Sequence, residues 1–259
     1  MTDRIGLAAG ALDQAARDAR AMPQFTGADA LALDEAYDVQ RALVQHRIDR
    51  GARRVGMKMG FTSRAKMVQM GISDMIWGRL TSDMMVEDGA AIDHGRFVHP
   101  RAEPEIAFLI GKRLAGPVTP LQALEAVAGV APAIEIIDSR YEDFKFSLAD
   151  VVADNSSSSG FVVGPWSAPA VDTANLGMLF TVDGRPAGMV SSAALLGHPL
   201  RSLAAASRLA EAAGEVLDPG SIVLAGGAAA AIALRPGTVV GLEVEALGRV
   251  GFSVAGGQA

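Results

Sequence analysis

The spacing of apolar residues changes near Val55, and this change constrains the fold of the 259-residue chain more than any other feature. Before Val55, apolar residues recur every three or four positions, which is typical of amphipathic helices. From Val55 to Gly60, apolar residues alternate with glycine and lysine, as in a β-strand. We therefore predict an α+β chain, with a small helical part at residues 1–54 and a mixed-sheet domain at residues 55–259.

Within the first part, one helix is predicted around residues 7–15 and a second from near Asp34 to a stop at Gly51. The second part is predicted to contain a helix from a Thr62 or Ser63 cap to Gly71, and another near residues 200–213. Short strands are predicted at 55–60, 103–110, 133–137, 160–163, 178–182, 221–224 and 238–247.

Composition excludes several classes of protein. The net charge is −6 and no basic run is present, so a nucleic-acid partner is not expected. The absence of cysteine excludes disulfides and thiolate metal sites. The longest apolar run, at residues 222–234, is broken by two glycines, and charged residues interrupt the N-terminus. We expect a cytoplasmic protein without a membrane partner.

Three glutamates suggest a metal site. Glu103 and Glu105 are two positions apart in a predicted strand, so both project from one face, roughly 7 Å apart at the backbone. Glu135 lies in another apolar strand, where an acid needs a partner. Three carboxylates without histidine or cysteine suit Mg²⁺ or Mn²⁺ and leave positions for an α-keto acid and a water. Alternatively, the glutamates pair with Arg101 and Arg140.

Two further residues are candidates for acid–base chemistry. Lys58 lies between Gly56 and Gly60, which leave space around its ammonium group for proton transfer or for binding a carboxylate. The alternative is a solvent-exposed lysine at a strand end. Asp83 is a candidate partner for a catalytic lysine, or the cap of a turn.

Two loops carry weaker signals. The serine-rich segment 150–160 offers hydroxyl and backbone N–H groups to a carboxylate, or is a solvated turn. The apolar segment 224–232 lacks the spacing of a nucleotide-binding loop, so its two glycines indicate a close-packed turn.

Three segments carry a family resemblance: Gly56–Leu80, His99–Ile110 and Pro132–Gly164. Together they resemble the hydratase/decarboxylase branch of the fumarylacetoacetate hydrolase superfamily, and later segments extend the similarity over nearly the whole chain. The resemblance implies a roll- or barrel-like sheet and a Mg²⁺ or Mn²⁺ ion. It implies site residues as follows: metal ligands Glu103, Glu105 and Glu135; catalytic Lys58, with Asp83 as its acid partner; and Ser157 or Ser158 as a substrate ligand.

Within that branch, the segment Gly60–Leu80 favours decarboxylation of 2-oxo-3-hexenedioate to 2-hydroxypenta-2,4-dienoate and CO₂, in meta-cleavage catabolism of aromatic compounds. Two alternatives remain: a 2-hydroxypenta-2,4-dienoate hydratase, and a non-catalytic subunit that supports such a hydratase. The resemblance also implies a homo-oligomer and a complex with the hydratase. Candidates for binding the distal carboxylate of the substrate are Arg64, Lys66, Arg79 and Arg140.

Overall fold

A computed structural model describes residues 2–63, 67–68 and 74–256. Helices and two mixed β-sheets make up the chain, which confirms the predicted α+β class. The helices are α1 (Thr2–Asp18), α2 (Leu33–Asp49), α3 (Pro120–Glu125), α4 (Leu148–Ala153) and α5 (Pro199–Ala212). No helix among the described residues is long and apolar enough to cross a membrane.

The larger sheet has eight strands in the order β2-β1-β10-β5-β6-β7-β3, with β11 paired to β5. Its strands are β1 (Arg54–Gly60), β2 (Ile76–Thr81), β3 (Met85–Val86), β5 (Arg101–Ile110), β6 (Val127–Ile137), β7 (Ser158–Val163), β10 (Ile222–Leu224) and β11 (Ile232–Ala233). The smaller sheet has the order β4-β13-β12-β8-β9. Its strands are β4 (Ala91–Asp93), β8 (Gly177–Val182), β9 (Arg185–Ser191), β12 (Val239–Val244) and β13 (Gly248–Ala255).

The two faces of the larger sheet pack in different ways. Its convex face carries Ile106, Phe108 and Ile134, which pack against the smaller sheet and α5 in the main core. Its concave face has a separate apolar cluster, with alanines such as Ala107 and Ala133 at the centre of β5 and β6 and larger side chains around them. Because side chains alternate along a strand, the glutamates of β5 and β6 share this second face with the alanines.

Helix α2 packs against both α1 and α4, and the three helices share one apolar cluster. The buried Gln40 of α2 donates hydrogen bonds to the carbonyls of Trp77 and Val152, which ties the helix to β2 and α4. Both bonds join a buried side-chain amide to buried backbone carbonyls, which need hydrogen-bond partners away from water. The division of the chain at residue 54 stays a prediction.

Each predicted strand corresponds to one in the structure, and the predicted helices at both ends are present. The structure adds strands β2, β3, β4, β9, β11 and β13 and helices α3 and α4, which the sequence pattern did not reveal. Most of the helix predicted up to Gly71 lies outside the described residues.

Candidate metal and catalytic site

The three glutamates converge on the concave face of the larger sheet. Glu103 of β5 lies directly opposite Glu135 of β6, and Glu105 follows two positions along β5. One carboxylate oxygen from each lies within 4.8 Å of the others. Glu105 and Glu135 are fully buried, and Glu103 is partly exposed, so the cluster opens on the side of Glu103.

Neutral donors hold one oxygen of each buried carboxylate. The backbone N–H of Gly226 donates to Glu105 Oε2 at 2.7 Å, and the Ser158 hydroxyl donates to Glu135 Oε1 at 2.8 Å. Glu105 Oε1 is buried and has no hydrogen-bond partner among the described residues. An unsatisfied buried acceptor is costly, and a bound cation would satisfy this oxygen.

Lys58 reaches the same cluster from β1. Its Nζ lies 3.0 Å from Glu135 Oε2, and the side chain is buried. Burial by itself lowers the pKa of Lys58, but Glu135, Glu105 and Glu103 more than offset this effect, so the pKa is raised and the ammonium form is retained. Burial, followed by the charge of Glu135, raises the pKa of Glu105 well above its usual value.

These residues fit a divalent cation. Glu105 and Glu135 are both buried beside the ammonium of Lys58, and the raised pKa of Glu105 shows that a second negative charge there is unfavourable without a counter-ion. The donor atoms that face the cluster are carboxylate oxygens, which Mg²⁺ and Mn²⁺ prefer. The unsatisfied oxygen of Glu105 gives the same indication.

The alternative in which arginines neutralise the buried glutamates was wrong. Arg140 pairs with Asp154 and also donates to Ser159. The guanidinium of Arg101 lies 3.9 Å from the centre of the Phe144 ring. Neither arginine is among the described partners of the two buried glutamates.

The predicted contact between Asp83 and Lys58 was also wrong. Asp83 lies in the turn after β2, where it is exposed, pairs with Arg47 at 2.7 Å and accepts a hydrogen bond from Thr81. Strand register gives the reason. Lys58 is opposite Gly78, whereas Thr81 is opposite Arg54, four residues away, which is roughly 13 Å along a strand. Glu135 is the charge partner of Lys58 instead.

The serine-rich segment is neither exposed nor a simple loop. After α4, the three consecutive residues Asn155, Ser156 and Ser157 adopt left-handed backbone conformations, with φ of 51°, 51° and 60°. The Asn155 side-chain amide donates to the Arg79 carbonyl and accepts from the Arg79 N–H, and Ser156 donates to the Trp77 carbonyl. These bonds fasten the turn to β2.

The two predicted serines have different surroundings. Ser157 is buried, and its backbone N–H and carbonyl bond to Asp154 and Asp138. Its role in binding substrate stays a prediction. The Ser158 hydroxyl donates a hydrogen bond to Glu135, a contact that no local sequence pattern predicts.

The glycines after β10 pack closely against the carboxylate cluster, a role that the sequence pattern did not predict. A Cβ on Gly226 would collide with Thr62, and a Cβ on Gly227 would lie 2.5 Å from Glu103 Oε2. The predicted close-packed turn is therefore confirmed, and its neighbours include two of the glutamates. In the sequence, the two adjacent glycines within an apolar run were the feature that could have indicated this close approach to the glutamates.

Residues 54–255 match the model of the family described as "Fumarylacetoacetate (FAA) hydrolase C-terminal". The chain belongs to the fumarylacetoacetate hydrolase family. Among its relatives in this family is a 4-oxalocrotonate decarboxylase of Pseudomonas sp., which is 61% identical over 253 residues, covering 98% of this chain and 99% of the relative.

Two other members extend the comparison. The solved structure of 4-oxalocrotonate decarboxylase from Pseudomonas putida G7, complexed with magnesium and adipate, superimposes with a TM-score of 0.94 at 34% identity and covers 98% of each chain. A 2-keto-4-pentenoate hydratase of Paraburkholderia xenovorans (strain LB400) is 34% identical over 221 residues, covering 84% of this chain and 82% of the relative. The fumarylacetoacetate hydrolase family thus includes both decarboxylases and hydratases similar to this chain.

Proposed function

We propose that the chain is a divalent-metal-dependent decarboxylase that converts 2-oxo-3-hexenedioate (4-oxalocrotonate) to 2-hydroxypenta-2,4-dienoate and CO₂. The observation that carries the proposal is its 61% identity with a 4-oxalocrotonate decarboxylase across nearly the full length of both chains. The similar hydratase is only 34% identical, so decarboxylation is favoured over hydration. We place the reaction in the catabolism of aromatic compounds.

The carboxylate cluster supports a role in binding an α-keto acid. Glu103, Glu105 and Glu135 would hold Mg²⁺ or Mn²⁺, which supplies a Lewis acid for the keto-acid end of the substrate. The related structure with magnesium contains adipate, a six-carbon dicarboxylate like the proposed substrate. Residues that hold the keto-acid end leave the far carboxylate free to depart.

The proposed reaction requires an electron sink at C2. When the C5–C6 bond breaks, C6 leaves as CO₂ and its electron pair forms the C4=C5 double bond. The C3=C4 pair moves to C2–C3, and the carbonyl pair moves to the C2 oxygen. Uptake of one proton by that oxygen completes the 2-hydroxydienoate, so the reaction needs no redox cofactor.

Lys58 is the group we assign to the C2 oxygen. Its ammonium is buried beside the glutamates and is kept in the charged form, so it can donate a hydrogen bond or a proton to an oxygen that gains negative charge. A buried, low-dielectric setting strengthens this interaction relative to water. Glu135 orients the ammonium group through their 3.0 Å contact.

Two of the four candidates for the distal carboxylate are already engaged. Arg79 donates to Glu215 and Gln40, and Arg140 pairs with Asp154. Arg64 and Lys66 lie outside the described residues and keep their predicted role. Ser157 is our choice as a substrate ligand, because the hydroxyl of its neighbour Ser158 is engaged with Glu135.

Turnover of purified protein tests the proposed function. With 2-oxo-3-hexenedioate and Mg²⁺ or Mn²⁺, we expect stoichiometric CO₂ and dienoate, both lost when a chelator removes the ion. Absence of CO₂, together with hydration of 2-hydroxypenta-2,4-dienoate, would overturn decarboxylation in favour of the hydratase.

Matched glutamine variants test the role of the cluster. Glu105→Gln removes a buried charge without changing shape and is expected to abolish turnover. Glu243→Gln removes an exposed glutamate that pairs with Arg249 in the smaller sheet and is expected to leave turnover intact. If Glu105→Gln is fully active only when mixed with a hydratase, the chain is a supporting subunit rather than an enzyme.

The assembly of the chain remains part of the proposal. We propose a homo-oligomer that associates with a hydratase, because the product is a reactive dienol and hydratases are among the similar proteins. The cytoplasmic location stays a prediction.

A further inference from the structure

The two buried glutamates share one arrangement. Each has one oxygen fixed by an uncharged donor and a second oxygen without such a donor. For Glu105 the donor is the Gly226 N–H; for Glu135 it is the Ser158 hydroxyl. A neutral donor fixes the orientation of a carboxylate without cancelling its charge, as partners of metal ligands do in other proteins.

We propose that Ser158 is a positioning residue for the metal centre, acting through Glu135 and not through substrate. This inference rests on the proposed function, because it assigns Glu135 as a metal ligand. Ser158 is buried and its Oγ lies 2.8 Å from Glu135 Oε1, so the hydroxyl is committed to that oxygen. The hydrogen bond directs Oε2 towards the interior of the cluster.

Lys58 explains why such a donor is needed. Its ammonium contacts Glu135 Oε2 at 3.0 Å and therefore competes with a cation for the same carboxylate. While Ser158 holds Oε1, the carboxylate cannot rotate to give both oxygens to Lys58. Loss of the hydroxyl removes this restraint and favours the ion pair over the metal.

The strained turn before Ser158 sets the position of its hydroxyl. Three successive residues, 155–157, adopt left-handed backbone conformations that side chains other than glycine disfavour. The hydrogen bonds from Asn155 and Ser156 to the backbone of β2 hold the chain in this conformation. Ser158 itself returns to extended backbone, with φ of −68°, so an alanine fits there without backbone strain.

Metal affinity of the Ser158→Ala protein tests the proposal. We expect the Kd for Mn²⁺, measured on the full chain by electron paramagnetic resonance without substrate, to rise about 10- to 100-fold. Ser158→Thr keeps the hydroxyl and is expected to restore the affinity. Ser159→Ala is the matched control, because that neighbouring hydroxyl accepts from Arg140 and does not contact the glutamates.

Substrate kinetics separate the two roles of Ser158. An unchanged Mn²⁺ Kd in Ser158→Ala, with a raised KM for the keto acid at saturating metal, would show that Ser158 binds substrate and would refute the inference. If Ser158→Ala does not fold, Ser158→Thr and Ser158→Val provide an isosteric pair; equal Mn²⁺ affinity in that pair refutes the inference.

If the proposed decarboxylase function is wrong, the outcome differs from the one expected if the role of Ser158 is wrong. In that case the wild-type chain binds Mn²⁺ without releasing CO₂, and the loss of affinity in Ser158→Ala is still measurable. Failure of the inference leaves wild-type decarboxylation intact while Ser158→Ala binds Mn²⁺ as tightly as the wild type.

Discussion

Gly227 provides a sensitive test of the carboxylate cluster. An added Cβ would lie 2.5 Å from Glu103 Oε2 and 2.8 Å from Glu103 Cδ. Ordinary contact begins near 3.4 Å, so the Glu103 carboxylate must move by about 0.9 Å, whereas metal–ligand distances tolerate only about 0.2 Å. The backbone at Gly227 is not in the left-handed region, so alanine adds no strain of that kind.

The expected result of Gly227→Ala is a loss of metal affinity with little loss of stability. A displaced ligand is expected to weaken Mn²⁺ binding by up to about 100-fold, or about 2.8 kcal/mol at about 1.4 kcal/mol per tenfold. Mn²⁺ titration by calorimetry measures the affinity, and thermal unfolding of the metal-free protein measures the stability. The partly exposed Glu103 side chain can shift, so the fold is not expected to suffer.

Gly177→Ala is the matched control for this experiment. A Cβ there would lie 3.6 Å from the carboxylate of Glu245, an ordinary contact, and the backbone is again not left-handed. We expect its metal affinity to equal that of the wild type. A Gly227→Ala protein that binds Mn²⁺ within twofold of the wild type would refute the reasoning that this turn sets the position of Glu103.

Three further predictions concern other residues. Lys58→Met is expected to lower kcat by about 10²- to 10⁴-fold while retaining Mn²⁺ affinity, because it removes a proton donor and a competitor for Glu135. Lys145→Met, which breaks an exposed ion pair, is the control. An unchanged kcat in Lys58→Met would contradict the catalytic role of Lys58. Asp83→Asn is expected to leave kcat within twofold of the wild type. It is expected to lower the free energy of unfolding in urea by about 0–1 kcal/mol, because it removes an exposed ion pair with Arg47. A tenfold lower kcat would show that Asp83 has a catalytic role. Burial raises the pKa of Tyr37 to about 12, and burial also raises the pKa of Tyr141, so the absorbance at 295 nm is expected to stay flat through pH 10. Because the folded state keeps both phenol protons, the contribution of these tyrosines to the free energy of unfolding is fully present below pH 10 and is lost as the pH rises towards 12. Half-ionisation of the tyrosines near pH 10 in the folded protein would contradict this prediction.

The sequence predicted those parts of the site that depend on local geometry. Glu103 and Glu105 lie two positions apart in a strand, so they share a face whatever the rest of the chain does. Alternating apolar residues likewise predicted most strands, because one side of each strand must be buried. The resemblance to a family then linked these glutamates to Glu135 and Lys58.

Interactions between distant segments could not be derived from the pattern. The left-handed turn at residues 155–157 was missed because its residues only tolerate that conformation, while hydrogen bonds to β2 stabilise it. Asp83 was placed wrongly because the register between β1 and β2 determines its distance from Lys58, and the sequence does not encode that register locally. The role of Ser158 depends on the same kind of long-range pairing.

By itself, the sequence determined the α+β class and a pair of carboxylates on one strand face. Only the tertiary structure decided which charges meet. Lys58 and Glu135 lie on strands separated by three steps in the larger sheet, which is roughly 14 Å if the sheet is flat. Their 3.0 Å contact exists because the sheet curls towards the face that carries both residues, and no periodicity within one segment specifies that curvature.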